Sequence, residues 1–153
     1  MNGAMKLRRW MTVVGVIYVL MGLRLLPWIN GPMIEAGLND AAAPGIELDP
    51  GTVFFDFAVD WMGVFGLDIL ILGAALLYAA RNDPYRHRLL VHVVLWQEAI
   101  RGVLADVWMI SRPYASAAFF LGFIVFHLIV IGTGVRALRK TQTTHSVEVE
   151  VAA

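Results

Sequence analysis

LLVHVVLWQEAIRGVLADVWMI, residues 89–110, decides how this chain is read. A membrane-crossing helix needs about 20 mostly apolar residues, and this stretch has that length. It also carries Glu98, Arg101 and Asp106 in its interior. A charge near the bilayer centre costs about 2.5–3.5 kcal/mol even on the most lenient scales. Such residues therefore pair, face a protein interior and mark a site.

Three further stretches have the same length and apolar character, from about residue 10 to 28, 54 to 80 and 117 to 138. The expectation is an all-α polytopic membrane protein, a four-transmembrane-helix bundle over residues 1–140. The tail, 141–153, is polar and then alternates Val and Glu, and reads as disordered. Pro27, Pro84 and Pro113 fall at or just beyond helix ends, where proline is tolerated. Trp10, Trp28, Trp61 and Trp108 fall near the expected interfaces, which indoles prefer. The composition agrees: 59% of the 153 residues are hydrophobic and only 16% are charged, with a mean hydropathy of +0.69. Soluble domains carry about a quarter charged residues.

Basic residues set the orientation. Lys6, Arg8 and Arg9 precede the first stretch, Arg81, Arg86 and Arg88 lie between the second and third, and Arg136, Arg139 and Lys140 follow the fourth. The other side has Arg112 alone, so the positive-inside rule puts both termini and the middle loop in the cytoplasm. The loop from about residue 29 to 53 is then external. It holds Glu35, Asp40, Glu47 and Asp49 with no basic residue, and its Gly and Pro content reads as an irregular loop. That loop is either a solvated surface or a lid over the outer mouth of the bundle. The first apolar run is longer than a signal-peptide core, so it reads as an anchor rather than a cleaved leader.

Four acids, Asp60, Asp68, Glu98 and Asp106, face two arginines, Arg24 and Arg101, with His127 as a third cation. Counting depth at about 1.5 Å per residue groups them. Arg24, Asp60 and Asp106 come out as an outer polar layer. Asp68 lies at roughly 11 Å and Arg101 at roughly 13 Å, a candidate central ion pair. Glu98 and His127 both fall at roughly 17 Å. On an ideal helix Glu98 and Asp106 are about 80° apart, so the polar sector spans two neighbours. Gly15 and Gly22 repeat at seven residues, as do Gly66 and Gly73, a spacing that lets membrane helices approach closely.

Two arginines neutralise two carboxylates. The others must be neutral, partnered by His127 or a bound cation, or hydrated. Asp68, Glu98, Arg101 and His127 are thus the candidate site: a ligand, ion or proton site, a buried network that only fixes helix register, or a surface for a partner protein. The spacing demands no metal, and no cofactor fingerprint, phosphate loop, nucleophile elbow or His-Glu-x-x-His pair is present. With no cysteine, thiol chemistry is excluded. No basic face for nucleic acid appears.

Arg9-Trp10-Met11, the Gly15-x-x-Tyr18-x-x-x-Gly22 run and Glu98-x-x-Arg101-Gly102-x-x-x-Asp106 resemble the BphX-like family of small bacterial integral membrane proteins, over roughly residues 5 to 140. The chain also looks like the DoxX-type four-span proteins in size and topology. The resemblance implies a four-helix protein of the bacterial cytoplasmic membrane, associated with metabolism of apolar compounds, and supplies no activity. Three functions remain open. The first is a small-ligand or accessory membrane protein that binds an apolar or amphipathic molecule. The second is an intramembrane isomerase or hydratase using Glu98 or Asp68. The third is a structural subunit, as a homo-oligomer or with a partner membrane protein.

Overall fold

The structure, a computed structural model, describes residues 3–38, 43–44, 49–113 and 115–151, with side chains up to residue 139. Among these the chain is helical, with no strand. The helices are α1 (Gly3–Arg24), α2 (Pro27–Met33), α3 (Val53–Arg81), α4 (Arg88–Gln97), α5 (Ala105–Ile110) and α6 (Ala117–Val151). Helix α3, and α6 over Ala117–Arg139, are long and apolar enough to cross a membrane. The α1–α2 pair adds a third such element if the bent pair is one span.

The first expected stretch is not one straight rod. Helix α1 ends at Arg24, and α2 restarts at Pro27, the two bent by 71°. Pro27 has no N–H to give and its ring excludes the carbonyl one turn back, so α1 cannot pass through it. The same fixed φ suits the first position of a new helix. Helix α2 then widens into i→i+5 hydrogen bonding over Ile34–Leu38. The start of the expected irregular loop is therefore helical and folded back. It packs on α3, where Ile34 is buried with Phe55 and Val59. Glu35 and Asp49 are exposed, and Asp40 and Glu47 lie outside the described residues. Thr52 caps α3 by accepting from the Phe55 N–H at 3.2 Å, satisfying one of the N–H groups a helix start leaves unpaired.

Residues 88–110 also depart from a regular α-helix. Between α4 and α5 the hydrogen bonding widens to i→i+5 over Glu98–Leu104. The backbone stays right-handed through both junctions, with φ −61° and ψ −45° at Gln97 and φ −67° and ψ −40° at Ala105. We call the continuous 88–110 unit the rod. At the other end of the chain, α6 continues to Val151, where the sequence reading expects disorder after Lys140. No glycine or proline lies between Val135 and Val151 to interrupt it.

Helix α1 packs most extensively on α3, and next on α6. The α1–α3 contact is backbone against backbone. A Cβ at Gly22 would sit 2.7 Å from the Gly66 carbonyl oxygen and 2.7 Å from the Leu70 nitrogen, and one at Gly73 would sit 2.9 Å from the Gly15 carbonyl oxygen. The seven-residue glycine repeats are thus a packing seam, as their spacing predicts. On its other side α1 meets α6 through Trp10. This residue is buried rather than interfacial, its Nε1 donating to Thr133 Oγ1 at 3.1 Å and to the Val130 carbonyl at 3.3 Å. Gly134 leaves room for it: a Cβ there would be 2.8 Å from Trp10 Cζ2. Trp28, Trp61 and Trp108 are exposed.

The core is concentrated toward one end. Leu7, Met11, Leu76, Ala79, Val91 and Val94 join Trp10 near the Asn82–His87 turn. There α3 meets the rod through α4. Beyond that, the Glu98–Ile110 part of the rod packs on α6. It faces α3 across a cavity.

Gly22→Val drives a branched side chain into the α3 backbone. It should destabilise the protein by about 1–3 kcal/mol, the usual penalty for overpacking, read as a lowered thermal midpoint in detergent. Gly122→Ala, where an added Cβ meets nothing within 4 Å, should leave that midpoint equal or raised, since alanine is the better helix former.

Candidate functional site

Glu98 is the centre of the polar cluster. It is 4% exposed, one of few buried charged or polar residues. Both its oxygens are engaged. The Tyr18 hydroxyl on α1 donates to Oε1, and His127 Nδ1 on α6 lies 2.6 Å from Oε2. On the far side of the same imidazole, Nε2 is 3.4 Å from Asp106 Oδ2 on α5. Four side chains from α1, the rod and α6 therefore form one line: Tyr18, Glu98, His127, Asp106. A carboxyl group taken out of water needs a partner at each oxygen, and both oxygens of Glu98 have one.

The rod's widened segment makes this line. It contains Glu98, Arg101 and Gly102. Such widened turns recur at functional sites because they re-aim side chains that a regular helix would separate. Here they bring Glu98 and Asp106 to opposite nitrogens of one ring. Gly102 is the floor on which His127 lies: a Cβ there would be 2.5 Å from His127 Cγ and Nδ1.

A second pair sits at the side. Arg101 Nη1 is 3.1 Å from Asp68 Oδ2 on α3, and its guanidinium lies 4.6 Å from the Phe65 ring centroid, a cation–π contact. Both partners are about half exposed, 46% for Arg101 and 53% for Asp68. The pair bridges the rod and α3 where these helices otherwise face each other across the cavity.

The cavity has a volume of about 350 Å³, at the small end of ligand pockets. Its wall is largely aromatic: Phe65 from α3 and Phe119, Phe120, Phe123 and Phe126 from α6. Asn30 and Ile34 from the folded-back α2 segment close the outer side. Asn30 is itself buried, with Nδ2 3.4 Å from the Met62 sulfur. One end of the cavity is polar, made by Tyr18, Glu98, Asp106 and His127, and Arg24 stands on its rim.

Of the residues singled out from sequence, Asp68 with Arg101 and Glu98 with His127 are brought into contact. The outer layer is different. Asp106 faces His127 rather than Arg24 or Asp60, because α5 packs on α6. Arg24 and Asp60 are exposed, and neither forms an ion pair among the described residues. Among the described residues no three His, Asp or Glu side chains converge as metal ligands do. Sequence reasoning did not single out Tyr18 as Glu98's donor, nor the phenylalanine wall. The wall has a signal in retrospect: Phe119, Phe123, Phe126 and His127 recur at helical spacing on one face.

Comparison with known proteins places these features in a family. Residues 4–143 match the model of a family described as BphX-like. Two curated relatives are BphX-like proteins of Burkholderia cepacia and of Paraburkholderia xenovorans strain LB400. Each is 33% identical over 132 residues, covering 86% of this chain and 90% of the relative. No solved structure matches the chain.

Tyr18→Phe removes the hydroxyl from buried Glu98 Oε1 and leaves that oxygen unsatisfied. The expected cost is about 1–3 kcal/mol, measured as a drop in thermal midpoint. A midpoint equal to wild type would mean that this hydrogen bond does not stabilise the carboxylate.

Proposed function

The chain belongs to the BphX-like family, and from that premise we propose that it is a four-span protein of the bacterial cytoplasmic membrane that binds a small apolar or amphipathic molecule in the cavity beside Glu98. The rod supplies the remaining span. Its 23 residues rise about 34 Å at 1.5 Å each, enough for the hydrocarbon core. Arg88, Glu98, Arg101 and Asp106 dilute its hydropathy, but they serve the cavity or the helix end. The exposed faces support membrane burial: Leu20, Ile71, Trp96, Leu104, Val125 and Ile129 are all large, apolar and uncovered, an outer surface suited to lipid. The clusters Lys6 to Arg9, Arg81 to Arg88 and Arg136 to Arg139 support cytoplasmic termini and a cytoplasmic Asn82–His87 turn.

The observation that carries ligand binding is the union of an aromatic cavity with one polar end. A purely structural charge network needs no adjoining space. A ligand site needs both an apolar volume and a few oriented polar groups. A second reading, intramembrane acid–base chemistry on an apolar substrate, rests on the Tyr18–Glu98–His127–Asp106 line. An imidazole between two carboxylates is suited to accept and return a proton.

Native mass spectrometry of the protein extracted gently from its own membranes tests the leading reading. A bound small molecule is expected on wild type. Phe123→Trp, which grows into the cavity, should abolish it without lowering the thermal midpoint. A bare, folded wild-type chain would overturn ligand binding and turn the search toward a partner subunit. A Glu98→Gln strain with unaltered lipid extracts would argue against the catalytic alternative.

A further inference from the structure

The polar groups at the end of the cavity are not equally available, and their inventory narrows the ligand. Glu98 has no oxygen to offer, since Tyr18 donates to one and His127 lies against the other. The Tyr18 hydrogen is committed to Glu98. Each nitrogen of His127 is opposite a carboxylate. Arg101 is bound to Asp68 and lies over Phe65. The exception is Asp106: its Oδ2 is buried and accepts no hydrogen bond among the described residues, and the nearest cation, His127 Nε2, is 3.4 Å away. An unfilled acceptor in an apolar enclosure is costly, and a donor brought by a guest removes that cost.

Charge gives the second constraint. A charged guest brings its own desolvation cost into a largely apolar enclosure, where an uncompensated charge is heavily penalised. Two carboxylates at the polar end also repel an anion directly. The remaining wall, five phenylalanines with Met21, Leu25 and Ile69, offers dispersion and ring stacking; Asn30 and Gln97 also line it, but among the described residues neither has a buried oxygen left without a partner as Asp106 has.

We propose that the cavity selects an uncharged, mostly apolar molecule bearing a hydroxyl group, which donates its hydrogen to the carboxyl group of Asp106 while its apolar body lies among the phenylalanines. The proposal rests on the ligand-binding reading and adds a chemical class to it.

Three fluorescent probes of one ring system separate the two. They are 2-naphthol, 2-methoxynaphthalene and 2-naphthoate, titrated at neutral pH against full-length protein in phosphatidylethanolamine/phosphatidylglycerol nanodiscs, with empty nanodiscs subtracted. The expected result is about tenfold or tighter binding of 2-naphthol than of 2-methoxynaphthalene, as one hydrogen bond to a carboxylate confers, and weaker binding of 2-naphthoate than of 2-naphthol. Asp106→Leu should equalise 2-naphthol and 2-methoxynaphthalene. Asp106→Asn, which keeps a carbonyl acceptor, should retain the preference and covers the case in which the leucine variant fails to fold. Equal binding of the first two probes by wild type overturns hydroxyl selection while leaving apolar ligand binding intact. Tightest binding of 2-naphthoate also overturns it, and assigns selection to Arg24. No binding of any probe overturns the proposal and the ligand reading together.

Discussion

The burial of one carboxylate organises this protein. Glu98 is held from one side by a phenol on α1 and from the other by an imidazole on α6, so three separate helical elements must converge on a single side chain. A carboxyl group away from water is tolerable only with such partners, and removing either one leaves a buried polar atom unsatisfied. The requirement fixes helix rotation as well as distance. Tyr18 must face inward, the rod must present Glu98 between its neighbours, and α6 must turn His127 rather than a phenylalanine toward it. The glycine seam of α1 with α3 and the lodging of Trp10 against Thr133 give α1 the placement that lets Tyr18 reach.

Much of this was legible because a helix is a ruler. A fixed rise per residue lets position be counted from the ends of each apolar stretch. The two counted pairs, Asp68 with Arg101 and Glu98 with His127, are contacts in the structure. The glycine repeats were legible for a related reason, since few roles other than close approach reward glycine every second turn in lipid. All-helical architecture followed from apolar length alone.

What escaped the sequence shares a cause: each feature depends on a departure from ideal geometry or on a side chain without charge. Asp106 was assigned to an outer layer using a regular helix, and the widened turn over Glu98–Leu104 shifts the register that assignment assumed. Pro27 lies where a span end was expected, and either a stop or a sharp bend satisfies the same missing N–H. Only the packing of Ile34 on Phe55 and Val59 selects the bend. Tyr18 and the phenylalanines of α6 look like ordinary lipid-facing residues until a cavity is seen beside them.

The uneven distribution of the core has a mechanical consequence. Near the Asn82–His87 turn the helices are locked by Leu7, Leu76, Val91 and Val94, all with no exposed surface, and by the indole of Trp10. Toward the opposite end α3 and the rod are spanned by a single arginine. The assembly is stiff at its pivot and compliant at its tips, like a pair of tweezers. Spreading the tips breaks the Arg101–Asp68 pair and, because α1 moves with α3, the Tyr18–Glu98 hydrogen bond, whereas any motion at the pivot must break close packing throughout. A change in the width of the cavity is therefore taken up as an angle between two stiff arms, with the dense end unchanged.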